Sequence, residues 1–147
     1  MQDHLTDITH VIQLAVAPVF LLTAIATLIN AMNGRLGRIV DRRRVVQEQL
    51  RQCGPECSAD AAGAREELDL LARRSKLVYL AILFAVLSAL LVCLVVAGAF
   101  VGAMVAVKLA YTVAGLFVAA MFAMIASLSV FLREIYLAVI TGSHYRR

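Results

Sequence analysis

Several polar residues along the first apolar stretch could hydrogen-bond or contact an ion. They are Thr9, Gln13, Thr23, Thr27 and Asn30. At about 100° per residue, these side chains fall within about one third of a helix circumference. Polar groups are penalised in lipid, so this polar stripe is expected to meet protein or water.

Two interpretations of the polar stripe are open. In the first, its side chains hydrogen-bond between helices, which contributes roughly 0.6–2 kcal/mol for each bond in a membrane. In the second, several copies of the chain surround an axis and the stripe lines a pore, with Phe20 as a hydrophobic gate. Pores combine hydrophobic constrictions with rings of polar side chains. The order from outside inward would be Gln13, Phe20, Thr23, Thr27, Asn30.

Basic residues follow where this stretch ends. Arg35, Arg38 and Arg42 would form an inner mouth that favours anions, or would contact anionic lipid. The run continues through Arg43 and Arg44, and a second basic group stands opposite: Arg73, Arg74, Lys76. The simplest interpretation is a topology signal with anionic lipid contact. An anion-concentrating vestibule and a docking surface for an acidic partner are the alternatives.

The histidines and cysteines of the sequence are not spaced as the ligands of a metal site or the side chains of a catalytic site usually are. None of His4, His10 and His144 has ligand spacing to another histidine or cysteine. Cys53 and Cys57 supply two ligands where a structural zinc site uses four, so a plain turn is the simpler interpretation. No aromatic residues interleave the basic run to stack bases. We therefore expect no enzyme, no cofactor, no metal and no nucleic-acid partner.

The elements that position these residues follow from the composition. The chain is 62% hydrophobic and 16% charged, with a mean hydropathy of +0.85. Residues 8–34, 77–107 and 109–132 contain no Asp, Glu, Lys or Arg. A helix needs about 20 apolar residues to cross a bilayer, so each stretch is long enough. The sequence predicts an all-α membrane protein with three transmembrane helices.

The distribution of basic residues predicts the orientation. Ten of the 14 Lys and Arg residues lie in residues 35–76, and three follow the third span. Basic residues near span ends stay in the cytoplasm. The large loop and the carboxyl terminus are therefore expected inside, and the amino terminus outside.

The loop is predicted to be a helical hairpin, a coiled-coil-like cytoplasmic stalk. On both arms an a/d heptad seam repeats every three and four residues, and it is apolar except at Arg43 and Ser75. The seam comprises Leu36, Ile39, Arg43, Val46, Leu50, Ala61, Ala64, Leu68, Leu71, Ser75, Val78. Two long helices, roughly 8–52 and 59–104, would run from the membrane into this stalk. Pro18, Gly34 and Gly37 are the expected hinges.

Five segments follow from this interpretation. Residues 1–34 form the outer amino terminus and first span, and residues 35–76 the cytoplasmic hairpin. The second span and outer link occupy 77–107, the third span 108–132 and the cytoplasmic tail 133–147. Within the tail, residues 133–141 are expected to lie along the membrane surface and to end at Gly142.

Parts of the sequence resemble a bacterial membrane family catalogued as domain of unknown function 2721. The resemblance is carried by Val11–Leu22, with its Val-Ile-Gln-Leu-Ala-Val-Ala-Pro run, and by Asn33–Arg42, which reads Asn-Gly-Arg-Leu-Gly-Arg-Ile-Val-Asp-Arg. Three shorter stretches also match: Arg73–Leu77, Val86–Val92, Phe131–Ile135. The resemblance implies a small protein of the bacterial inner membrane and supplies no activity.

These observations lead to two hypotheses. The first is a homo-oligomeric ion channel, with inorganic ions as its permeant partners. The second is a non-conducting scaffold or accessory subunit whose stalk docks a partner protein. Burial of the seam between the two arms would leave little apolar surface for a partner, whereas an exposed seam would favour docking.

Overall fold

Three long helices make up the described part of the chain. A computed structural model describes the backbone of residues 2–52, 58–105 and 110–144, and the side chains of 16–52, 61–102 and 111–139. Helix α1 spans Gln2–Gln52, α2 spans Ser58–Val105 and α3 spans Ala110–His144. The predicted all-α class is confirmed, and α1 and α2 extend from the apolar stretches into the polar arms as expected. Cys53 and Cys57 lie outside the described residues.

Each helix is long and apolar enough to cross a membrane. The candidate spans lie in Val16–Gln52, Ala61–Gly102 and Tyr111–Val139, with peak mean hydropathies of 1.7, 3.1 and 2.3. Only 17%, 28% and 11% of these apolar windows is buried, and large side chains such as Leu90 and Phe122 are exposed. Exposed apolar surface on this scale is stable only in lipid or against another protein. The chain is an integral membrane protein with three helices that are long and apolar enough to span a membrane.

The helices form two compact units. The first comprises Met1–Ile29 and Phe84–Ala126. Its core contains Ile25 from α1, Ala85 and Val92 from α2, and Ala120 from α3. Alanines at these positions allow close helix packing, as is usual in membrane proteins.

Two contacts bring α2 and α3 close together in the first unit. The Ser88 hydroxyl donates a 2.8 Å hydrogen bond to the backbone carbonyl of Ala120. A Cβ added at Gly98 would lie 3.3 Å from the Val113 Cγ2 atom. The glycine therefore permits an approach that a larger side chain would obstruct.

The second unit comprises Asn30–Leu83 and Ser127–Arg147. Its buried apolar residues include Met32, Ile39 and Val46 from α1, and Leu71 and Val78 from α2. Every residue of the predicted seam except the exposed Arg43 is therefore at least partly buried. The Ser127 hydroxyl of α3 donates a 2.8 Å hydrogen bond to the carbonyl of Ala81.

The segment after the third span, which was expected to lie along the membrane surface, is continuous with α3. Helix α3 runs without interruption from Ala110 to His144, through Arg133 and past Gly142. We attribute this continuity to Glu134, whose side chain is buried rather than directed to water. It forms ion pairs with arginines of α1 and α2, which hold this part of α3 against the other two helices.

Candidate functional site

The exposed polar face of α1 consists of Phe20, Thr23, Thr27 and Asn30. In the first unit Phe20 is 72% exposed, and Thr23 and Thr27 are exposed beside it. The opposite side of the helix carries Ile25, which is buried in the core. The same alternation holds in the second unit, where Asn30 is exposed and Met32 is fully buried. The polar face is thus turned away from the other helices of its own protomer.

The two threonines of this face satisfy their hydroxyl protons within α1. Thr23 Oγ1 donates to the carbonyl of Val19 at 3.0 Å, and Thr27 Oγ1 donates to the carbonyl of Thr23 at 2.9 Å. Such bonds lower the cost of placing a threonine in an apolar medium. Each hydroxyl oxygen keeps lone pairs that can accept a hydrogen bond or approach a cation.

Among the residues of this face, Asn30 has the largest number of hydrogen-bonding groups without a partner in the described ranges. Its amide makes no hydrogen bond to another residue of the described ranges, and an amide has two donors and an acceptor to satisfy. Below it, Gly34 and Gly37 are exposed, and a Cβ at either would meet nothing within 4 Å. This surface of α1 therefore remains uncovered by the described part of the protomer.

Charged residues from all three helices meet in the second unit. The Arg35 Nη1 of α1 donates to Glu134 Oε2 of α3 at 3.2 Å, and the Arg74 Nη2 of α2 donates to Glu134 Oε1 at 3.0 Å. We call these three residues the ion-pair triad. The Glu134 side chain is 1% exposed, whereas those of Arg35 and Arg74 are 32% and 26% exposed. The Arg35 guanidinium also lies 5.6 Å from the centre of the Phe131 ring.

The ion-pair triad keeps a carboxylate in a buried position. Both carboxylate oxygens accept a charged donor, which compensates the desolvation of the glutamate. The Arg74 Nε has no hydrogen-bond partner among the described atoms. Removing both arginines would cost roughly 3–5 kcal/mol, because the buried Glu134 charge would then have no partner. The triad therefore joins the three helices through a contact that tolerates little change.

Comparison with known families identifies the protein at the family level. The model of a family described as protein of unknown function, DUF2721, matches residues 15–142. The chain belongs to the DUF2721 family. This confirms the resemblance noted in the sequence. No curated protein and no solved structure shows a significant match to the chain.

The structure locates most of the residues selected from the sequence of this DUF2721 protein. Phe20, Thr23, Thr27 and Asn30 share the exposed polar face, whereas the side chain of Gln13 lies outside the described residues. At the three predicted hinges, Pro18, Gly34 and Gly37, α1 continues without interruption.

The three basic residues selected for an inner mouth have different environments. Arg35 belongs to the ion-pair triad. Arg42 Nε donates to Glu67 Oε1 of α2 at 2.8 Å, which links the two arms. Arg38 is exposed on the same side of α1 as Asn30 and makes no salt bridge to a described residue. Two of the three positive charges predicted for an inner mouth, those of Arg35 and Arg42, are therefore paired with glutamates, and Arg38 is the third.

Glu134 is the important residue that sequence reasoning missed. It belongs to the segment that was expected to lie along the membrane surface. The informative signal was its position, two residues beyond an apolar run and in a chain with arginines near the ends of the other two runs. A carboxylate at that level is expected to pair with basic residues.

Proposed function

We propose that this DUF2721 protein is a homo-oligomeric ion channel of the bacterial inner membrane, in which α1 of each protomer lines the pore. The amino terminus would be outside and the carboxyl terminus in the cytoplasm, as the basic residues predict. The observation that supports a pore is the exposure of Phe20, Thr23, Thr27 and Asn30 on the side of α1 away from its own protomer.

The exposed amide of Asn30 is the main reason to propose an assembly of several chains. An exposed asparagine amide in a membrane span is costly against lipid, because lipid tails provide no hydrogen-bond partner. A second copy of the chain or a column of water would supply one. The threonines satisfy their own protons, so they would tolerate either environment. A water-filled axis would hydrate all the polar side chains of this face, and it would also solvate Arg38, which follows Asn30 along α1.

The pathway would have three zones. Gln13 and the hydrophobic ring of Phe20 would lie on the outer side, with Phe20 as the gate. Thr23, Thr27 and Asn30 would contact partly dehydrated ions through oxygen and amide groups. Arg38 would make the inner mouth positive and so favour anions, because Arg35 and Arg42 are already paired.

The alternative is a non-conducting scaffold whose hairpin docks a partner protein. The seam that would serve as a docking surface has its central residues Ile39, Val46 and Leu71 buried. Exposed apolar residues on the arms are scattered, such as Val45 and Leu70. Scattered apolar side chains are common on protein surfaces and do not indicate a partner. This burial favours the channel over the scaffold.

Ion flux through proteoliposomes tests the channel. The purified protein is reconstituted and exposed to separate gradients of a monovalent cation and an anion. We expect flux, with anions favoured, and we expect the Thr27→Leu, Asn30→Leu double variant to abolish it or change its selectivity. Thr112→Leu is the matched control, since Thr112 is an exposed threonine of α3.

Three results would distinguish the hypotheses. Flux that is lost in the α1 variant and kept in the Thr112→Leu variant supports a pore lined by α1. Flux that is equal in both variants places the pathway elsewhere. Folded, oligomeric protein that passes no ions, with or without an applied voltage or membrane tension, would favour the scaffold.

A further inference from the structure

A groove of about 470 Å³ in the second unit is lined by basic and apolar side chains of α2 and α3. Its basic residues are Arg73, Arg74, Lys76 and Arg133, and its leucines include Leu77 and Leu80. No acidic side chain lines it among the described residues. Such a surface combines positive charge with apolar contact area on adjacent turns of α2.

The positive charge of the groove is largely uncompensated. Arg74 gives one hydrogen bond to Glu134, and that carboxylate is shared with Arg35. Arg73, Lys76 and Arg133 are exposed and make no salt bridge with a residue of the described ranges. Several cations held around one concave surface repel each other, so an anion in the groove would be stabilised.

Apolar surface next to the cations indicates what kind of anion fits. Helix α2 passes from Arg73 and Lys76 directly into its apolar span, and Leu77 and Leu80 begin that span. Tyr79 and Tyr136, on the same two helices, are 57% and 66% exposed. Tyrosines concentrate at the level of lipid headgroups. A soluble anion would use the cations alone, whereas a phospholipid would use both surfaces.

We propose that this groove is a specific binding site for an anionic phospholipid. The lipid phosphate lies against Arg73, Lys76 and Arg133, and an acyl chain lies along Leu77 and Leu80. A lipid with two phosphates, such as cardiolipin, binds more tightly than one with a single phosphate, because three exposed cations surround the site. Basic pockets between membrane helices bind such headgroups in general. This proposal does not depend on ion conduction.

Native mass spectrometry of the purified, full-length protein tests the site. The protein is titrated with cardiolipin, phosphatidylglycerol and phosphatidylcholine, and bound lipid is counted for each. We expect affinity to fall in that order. The Arg73→Gln, Arg133→Gln double variant is expected to lose cardiolipin affinity by about 30-fold, at about fivefold for each charge removed. Addition of millimolar inorganic phosphate is expected to leave the bound cardiolipin in place.

The matched control is the Arg43→Gln, Arg44→Gln double variant, which removes the same charge from exposed positions of α1. It is expected to keep nearly the affinity of the unmodified protein. Equal loss in both variants would mean that the lipid senses only overall charge, and no loss in either would place the lipid elsewhere. Displacement by inorganic phosphate would identify a soluble anion as the ligand. Any of these three results overturns the proposal.

A photoreactive cardiolipin analogue gives a second measurement that does not depend on the folding of a variant. After irradiation of the unmodified protein in nanodiscs, the label is expected on peptides that contain residues 70–80 and 133–137. Label confined to other peptides would contradict the site.

Discussion

Glu134 shows how strongly one side chain can constrain this molecule. Its carboxylate is buried, yet each oxygen accepts a hydrogen bond from a guanidinium, one from α1 and one from α2. The arginines near the ends of the apolar stretches are evident in the sequence, but the predicted role for them was contact with lipid or a pore mouth. Nothing in a one-dimensional pattern indicates which of several arginines a glutamate will contact, because that depends on the rotation of each helix about its axis.

A substitution at the ion-pair triad tests its contribution to stability. We expect Glu134→Gln to lower the free energy of unfolding by roughly 1.5–3 kcal/mol, since the substitution removes the negative charge that accepts hydrogen bonds from the partly exposed Arg35 and Arg74. The control is Glu67→Gln, which removes a partly exposed partner of the exposed Arg42 and should cost about 0–1 kcal/mol. Unfolding in mixed micelles with increasing denaturing detergent measures both.

A third variant separates the loss of charge balance from the loss of packing. Replacing the whole ion-pair triad by Arg35→Met, Arg74→Met and Glu134→Leu should recover much of the stability, because no charge is then buried without a partner. Equal stability of Glu134→Gln and Glu67→Gln would show that the triad contributes little.

At the scale of the elements, the sequence was informative because long helices have clear periodicity. The three apolar stretches and the heptad seam predicted the helices, whereas the close α2–α3 contact at Ser88 and Gly98 became visible only in the structure. The end of α3 was less predictable, because the expectation that residues 133–141 lie along the membrane surface did not include the pairing of Glu134. That pairing holds this part of the continuous helix against α1 and α2.

Gly98 provides a test of how closely α2 and α3 pack. We expect Gly98→Leu to destabilise the protein by about 1–3 kcal/mol, because the added side chain must displace Val113. Gly115→Leu is the control, since a Cβ at Gly115 on α3 meets nothing within 4 Å. The same unfolding measurement applies. Similar stability of both variants would mean that α2 and α3 lie further apart at Gly98 than the structure places them.

At the scale of the whole molecule, the proposed channel would give the exposed polar face of α1 a partner, either a second copy of the chain or a column of water. The sequence predicted that face from spacing alone, but whether it met another helix of the same protomer was open. Exposure of Phe20, Thr23 and Thr27 answers that question within the first unit, and exposure of Asn30 answers it within the second. In the proposed oligomer, the number of subunits would depend on how these faces meet, and the residue pattern of one chain does not predict that geometry.

Disulfide crosslinking tests whether the polar faces of different protomers meet. In a background with Cys53, Cys57 and Cys93 replaced by serine or alanine, we introduce Thr27→Cys or, as a control, Phe122→Cys. Both positions are exposed in the protomer, but Phe122 is on α3. A disulfide needs Cα atoms within about 7 Å, so it forms only where the same residue of two protomers approaches. In native membranes under mild oxidation, α1 at an axis would give crosslinked dimers with Thr27→Cys and few with Phe122→Cys. The opposite pattern would place α3 at the protomer interface, and the proposed pore along α1 would then be wrong.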